Sequence, residues 1–524
     1  MKRYQKANEG IHAPEEVKEK AVRPAGKRPY TRWAGAVAAV LVVALIGGIA
    51  MWPRQAHEPT ALSNNGPVGR NIGQPETYSA HALSLAVYPE MHPYPKDEDY
   101  FSNMEDSEGA WQKANDAYSE AYGAWWDDRQ ALRSGTDYTG LMDGFLSAST
   151  AQFLAGAGEE NRIYSPLNVY MALSMLAETT GEDSRQQLLD LLQAGSIEAL
   201  RERAFALWRD HYRDDGTVTS ILGNSLWLRD DMTYSQETLD TLAEKYYASA
   251  FSGEMGSEEY DQALRDWLNA QTVGLLEEQA NGLNMDPDTV LALASTIYFK
   301  AAWSSEFNKA RTETDIFHAP SGDTETDFMR KTMESTYYWG EHFAAVQLYF
   351  QQGGSMWFIL PDEGYSVDEL LESGEAMEFL LADKSGYYDE EKDEYVETWP
   401  GQKFLNINLS MPRFDVSSDL DLIEGLRALG VTDVFDYTVS NFDPLGAGTD
   451  DPLYVSQAQH AARVKVDEEG CEAAAYTVLV AVTGDVAPPD DEVDFTLDRP
   501  FFFAITGGWS DLPLFTGVVN QPNG

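Results

Sequence analysis

The stretch that most constrains this chain is VKVDEEGCEAAAYTVLVAVTGDVAPPDDEVDFTLDRPFFFAI, residues 464–505. From Cys471 to Val486 it is mostly apolar, strand formers crowd Tyr476–Val482, and no proline interrupts it. A run of this kind belongs inside a sheet. Yet it opens on Glu468, Glu469 and Gly470 and closes on Asp485, Pro488, Pro489, Asp490, Asp491 and Glu492, the punctuation of an exposed loop. Left in solvent, such a segment is an aggregation hazard. Whatever this chain folds into must have a reason to keep a prospective strand outside its core.

The rest of the composition narrows the options. With 524 residues, 43% hydrophobic and 12% aromatic, the chain can bury a large core, either as one big α/β or α+β domain with extensions or as two or three smaller ones. A formal net charge of −49 argues against nucleic-acid binding, which needs a basic surface. One cysteine, Cys471, excludes an intramolecular disulfide and any cysteine-based metal cage. The eight histidines are scattered without metal-ligand spacing, so neither a metal nor another cofactor is expected. There is no GxSxG elbow, phosphate loop or GxGxxG after a strand. Glu468 and Glu469 are adjacent, so on a strand they face opposite ways and cannot flank one substrate. Cys471 and His460 lie eleven residues apart, which does not make a dyad; a small residue suited to burial is the better reading of the cysteine. Nothing here points to an enzyme.

The N-terminal end has its own organisation. Residues 1–32 carry nine Lys/Arg against four Glu. WAGAVAAVLVVALIGGIAMW, residues 33–52, then runs twenty residues without a charge between two tryptophans, long enough at about 1.5 Å per residue to cross a bilayer. The expected division is a cytoplasmic basic segment (1–32), a transmembrane helix (33–52), a linker and helical extension (53–137) and a globular domain (138–524). The basic flank stays cytoplasmic and the remainder lies outside the cell. The alternative is a secreted protein released after signal cleavage, for which Gly48 and Ala50 would serve.

Farther along, residues 53–75 read as linker and 76–105 as irregular. GAWQKANDAYSEAYGAWWDDRQAL reads as a helix with Trp111, Tyr118, Tyr122 and Trp125 on one face, for packing on a neighbouring domain. MDGFLSASTAQFL and SPLNVYMALSMLAETT read as helices, the second capped by Ser165 with Pro166 in its first turn. LALASTIYFKAAW and SMWFILP read as buried strands, LNINLSMPRF as a half-buried one, and LDLIEGLRALGV as a helix. YYDEEKDEYVETWP reads as a solvated acidic loop.

FTLDRPFFFAI, residues 495–505, resembles the signature strand of the serpins, and EEGCEAAAYT resembles their hinge. In the same order come YSPLNV, NSLWL, DWLNAQTVG, STIYFKAAW, LPDEG, MPRF, NFDPL and LPLFTGVVNQP, so the resemblance covers roughly residues 138–522. It implies an α+β serpin fold: a large central β-sheet, smaller sheets, about eight or nine helices and an exposed reactive loop. It implies a monomeric serine protease inhibitor of membrane-anchored or secreted bacterial type, not an enzyme. A non-inhibitory serpin acting as a cell-surface binding or structural module is the alternative.

The same resemblance assigns the residues. A protease attacks the loop, forms an acyl-enzyme, and is trapped as the cut loop inserts into the central sheet. The hinge is Glu468, Glu469, Gly470, Cys471, Glu472, Ala473, Ala474, Ala475, Tyr476 and Thr477. Cys471, Ala473, Ala475, Thr477, Leu479 and Ala481 share one face by the period of two, all small or apolar. Cys471 stands where the family has threonine or serine, and Tyr476 falls on the solvent side. Gly470 is read as the point of backbone rotation. Fifteen residues, Gly470–Gly484, would cross the sheet. The reactive bond is Gly484–Asp485, with Thr483 or Val482 as alternatives. These small residues suit an elastase-like or subtilisin-like target, because no Lys or Arg lies between Lys465 and Arg499. The sheet-opening cluster maps onto Ser165, Asn168, Ser295 and His460, with Trp303, Asn168 standing for a serine and Ser295 for an asparagine.

Overall fold

The computed structural model describes Val40–Leu41 and residues 77–522, less a set of short breaks and the stretch 472–490. The architecture is the α+β one expected, two large sheets surrounded by helices. The first sheet is built from β1 (Val218–Arg229), β2 (Ala248–Gly253), β3 (Leu291–Ala302), β4 (Phe414–Asp421), β5 (Gln457–Val466) and β6 (Gly470–Cys471). Its order is β4-β5-β6-β3-β1-β2, closed at one edge by Ala82–Ser84. The second runs from Glu492–Thr496 through Gln402–Pro412 and Gly322–Trp339 to the buried strands Ser355–Pro361, Phe501–Thr506 and Pro513–Val519.

Period two explains how β3 sits. Leu291, Leu293, Ile297, Phe299 and Ala301 face the main core, while Ala292 and Ala294 face a second one. That second core holds Trp227, Phe251, Tyr260 and Trp267, contributed in part by the helix Glu258–Thr272 laid across the sheet. β3 is therefore apolar on both faces, as its unbroken run LALASTIYF demands.

The central irregularity is between β3 and β5. Among the described residues they are not paired with each other; β6 is laddered to both, at Gly470↔Ala302, Cys471↔Ala301 and Cys471↔Val466, and Val40–Leu41 pair with β5 and lie against β3 farther along. β6 is antiparallel to both neighbours.

Several expectations change. Residues 76–105 are partly ordered: Thr77–His81 form a 3₁₀ turn, Ala82–Ser84 add to the edge of β2, and Asp97–Phe101 are helical. Burial of Tyr78 edge-on against Phe251 fixes the first of these. The acidic segment carries a short hairpin, Tyr387–Asp389 with Glu394–Val396. From Asp143 onward there are ten α-helices among the described residues, the shortest of them Glu277–Ala280. The helix of the extension, α1 (Glu108–Leu132), docks by its C-terminal half: Trp125 is buried and donates to Asp215 at 2.8 Å, while Trp111 stays exposed. Of residues 33–52 only Val40–Leu41 are described, as an extended pair beside Gln457–Ala458, and the remainder of the expected transmembrane helix lies outside the described residues. Among those residues no helix is long and apolar enough to cross a membrane.

Candidate functional site: the hinge and the opening of the central sheet

The hinge is a tight turn held from four sides. Asp467 opens it, its carboxylate accepting from the Glu469 amide at 2.9 Å and the Gly470 amide at 3.3 Å. Glu468 turns inward and is buried. Its carboxylate accepts from Arg413 Nε at 2.9 Å, from Arg413 Nη2, and from Thr312 Oγ1 at 2.6 Å. Burial works against ionising that carboxyl, but the Arg413 and Thr312 hydrogen bonds prevail and hold it below the ordinary glutamate range. Arg413 is the arginine of the MPRF motif, at the corner between Gln402–Pro412 and β4. Glu469 pairs outside with Lys309. The two glutamates thus do face opposite ways, and each has a cation of its own.

Trp303 closes the turn from the end of β3. Its amide donates to Glu469 O and its indole Nε1 to Asp467 O, both at 2.9 Å, while its ring stacks on Phe350. It belongs to the hinge rather than to the polar cluster, a correction to its expected place. Gly470 also has a different reason from the one expected. Its φ is not positive. A Cβ there would lie 2.3 Å from Ala301 O and 2.7 Å from Ala302 Cα, so close backbone approach rather than rotation requires glycine. Cys471 follows, buried on the same face as Ala301.

The polar cluster lies farther down the β3–β5 opening. Ser165 caps α2 (Pro166–Thr179), accepting from the Asn168 amide at 3.2 Å and donating to Leu514 O at 2.6 Å. Its own amide donates to His460 Nε2 at 3.0 Å, so Nδ1 carries the imidazole proton. Burial depresses His460 to about 4, which keeps the ring neutral. Asn168 Nδ2 reaches the Ser295 carbonyl at 3.3 Å, and Ser295 Oγ donates to Asn224 Oδ1 at 2.8 Å. Ser165, Asn168, Ser295 and His460 therefore lie together. The substitutions rearrange the network, since Ser295 turns its hydroxyl to Asn224. Asn224 was missed; its signal was its place at the head of the NSLWL motif on β1.

Glu472, Ala473, Ala474, Ala475, Tyr476 and Thr477 of the hinge, and the bond candidates Val482, Thr483, Gly484 and Asp485, lie outside the described residues. Among the described residues no group of His, Cys, Asp or Glu is arranged to hold a metal ion.

Comparison with known proteins agrees with this geometry. The family model described as Serpin (serine protease inhibitor) matches residues 145–522. Serpin-Z2A of Triticum aestivum is 27% identical over 392 residues, covering 72% of this chain and 94% of the relative. A serine proteinase inhibitor of Cavia porcellus is 28% identical over 376 residues, covering 69% of this chain and 84% of the relative. Among solved structures, the thermophilic serpin tengpin in its native state is similar at 25% identity and a TM-score of 0.61, over 75% of this chain and 94% of that one. These plant and animal relatives give no support to the bacterial, membrane-anchored qualifier. With 378 of 524 residues under one family model, and a hinge turn entering a two-sided opening in its main sheet, the chain belongs to the serpin family, whose members are typically protease inhibitors.

Proposed function

We propose that this chain inhibits a serine protease of the elastase-like or subtilisin-like class by inserting its cut loop between β3 and β5. The observation that carries the reading is β6: Gly470 is already laddered to β3, and Cys471 to both β3 and β5. Continued in the same register, Ala473 would face Phe299 and Val464, Ala475 would face Ile297 and Ala462, and Leu479 would face Leu293 and Ala458, taking the place of Leu41, which pairs with Ala458 here. Thr477, the one hydroxyl on that face, would arrive between Ser295 and His460, the polar cluster. β3 spans twelve residues, so its partners run out at Ala481 rather than at Gly484. Each new ladder hydrogen bond contributes roughly 1 kcal/mol net, and the inward face adds apolar burial at about 25 cal/mol per Å².

Chemically, the protease serine oxygen would attack the Gly484 carbonyl carbon and expel the Asp485 amine, leaving an ester that insertion must outrun. Binding-module serpins exist within the fold; human thyroxine-binding globulin, solved with its ligand, is similar at 20% identity and a TM-score of 0.59. The small inward face and the pre-entered β6 favour inhibition here. Mixing the chain with an elastase-like protease should yield an SDS-resistant complex and a released peptide starting at residue 483, 484 or 485, with trypsin far less affected. Ala473→Arg should be cleaved without trapping, because burying its charge opposite Phe299 is strongly unfavourable. Trapping by Ala473→Arg at the wild-type stoichiometry would sink the mechanism. The uncharged 33–52 run and its basic flank support a further reading, a single-pass anchor with the inhibitory domain outside the cell.

A further inference from the structure

Where the extension meets the first sheet, Arg129 of α1, Arg213, and Ser220 of β1 line a cavity of about 20 Å³ together with Gly353, Gly507 and Gly508. That is room for one water-sized or monatomic occupant. Arg213 and Ser220 are each 4% exposed. Arg129 Nε, Arg213 Nη2 and Ser220 Oγ are buried and have no hydrogen-bond partner among the described residues. Every one of them can donate, and only the hydroxyl can also accept.

The local charge is one-sided. Asp215 is the carboxylate beside the two guanidinium groups, and it is fully engaged. It accepts from Arg213 Nε at 2.5 Å, Trp125 Nε1 at 2.8 Å, and the Thr217 and Val218 amides at 3.0 Å. Arg213 Nη1 goes to the Gln352 carbonyl at 2.5 Å. His211, also on the wall, is held neutral by burial, its Nδ1 proton on Leu207 O at 2.8 Å and its Nε2 against the Ser510 hydroxyl at 3.2 Å. Asp210 and Asp511 act on His211, but neither lines the cavity, and Asp210 is taken up by Ser134 and Tyr138. The faces of Trp125 and Trp509 offset part of the excess positive charge, with Arg129 at 6.0 Å and 4.9 Å from their centroids. Burial and the neighbouring Arg213 charge lower Arg129 to about 10.

We propose that this cavity is a binding site for a single monatomic anion of the halide class. A water would satisfy the donors but leave two buried guanidinium groups to one carboxylate; an anion satisfies donors and charge together. Its place gives it a consequence. Ser220 pairs with Phe299 and Val218 with Ala301, and Ala301 in turn pairs with Cys471. The anion ties the extension to the end of the sheet where β6 enters.

The test uses the full chain. Its thermal midpoint should rise saturably in sodium chloride or bromide relative to sodium gluconate at equal ionic strength, since gluconate is too large for the cavity. Ser220→Ala, the mild variant, should weaken the chloride dependence about tenfold by removing one donor, and Arg129→Gln should abolish it. Crystals soaked in bromide should show an anomalous peak bonded to Arg129, Arg213 and Ser220. Equal midpoints in chloride and gluconate, or an ordinary water at that position in bromide crystals, would overturn the proposal, and neither result bears on protease trapping.

Discussion

Gly470→Ala is the sharpest perturbation of the hinge. The new Cβ would sit 2.3 Å from Ala301 O, an approach that real Cβ atoms essentially never make, and the obstacle is backbone that cannot rotate away. β6 must therefore lift off β3. Two kinds of interaction go with it: the ladder bonds of Gly470 and Cys471, roughly 1 kcal/mol each, and the burial of Cys471 beside Ala301. The overlap itself, if the strand stayed in place, costs about 1–3 kcal/mol. A shift of about 2 kcal/mol toward the lifted hinge is a factor of roughly 30 in its population. Cys471 is the only cysteine in the chain, so the rate of thiol labelling reads this population with no background. Labelling of Gly470→Ala should be faster by that order, and the fraction of protease turned over rather than trapped should rise. The Glu468–Arg413 pair on the near side of the turn should hold, leaving the remainder of the fold intact. If the alanine variant labels at the wild-type rate, β6 is not held in the sheet as described.

His460 should make the sheet acid-sensitive in a specific window: its folded value of about 4 lies below the ordinary histidine value near 6.5, so its contribution is present above pH 6.5 and lost as pH falls toward 4, a loss on the order of 3 kcal/mol. His460→Gln should flatten the midpoint-versus-pH curve over that window, with the part due to buried His211 remaining, and an unchanged slope would refute the assignment. For the anchor, external protease added to intact cells should release the inhibitory domain by cleavage within residues 53–75; recovery of the whole chain in the cytosol would refute it.

Read by itself, the sequence determined that a mostly apolar, strand-like segment, residues 471–486, is bracketed by loop punctuation, since Glu468, Glu469 and Gly470 precede it and Pro488, Pro489 and Asp490 follow it. It determined the strands that are apolar on both faces, such as Leu291–Ala302, since a continuous apolar run needs cover from two sides. Through its ordered motifs it also brought Ser165, Asn168, Ser295 and His460 into one group. What it could not contain are relations between distant backbones. Gly470 looks like a rotation point in one dimension, and only the approach of Ala301 O shows that glycine is there for space. Trp303 looks like part of the polar cluster, and only the path of the turn puts its indole on Asp467 O. The twelve-residue length of the β3 ladder and the meeting of Arg129 with Arg213 and Ser220 were likewise decided in three dimensions. Local periodicity fixes which face of an element is buried, but which groups from remote segments share that burial, and whether their charges balance, is set only when the segments pack.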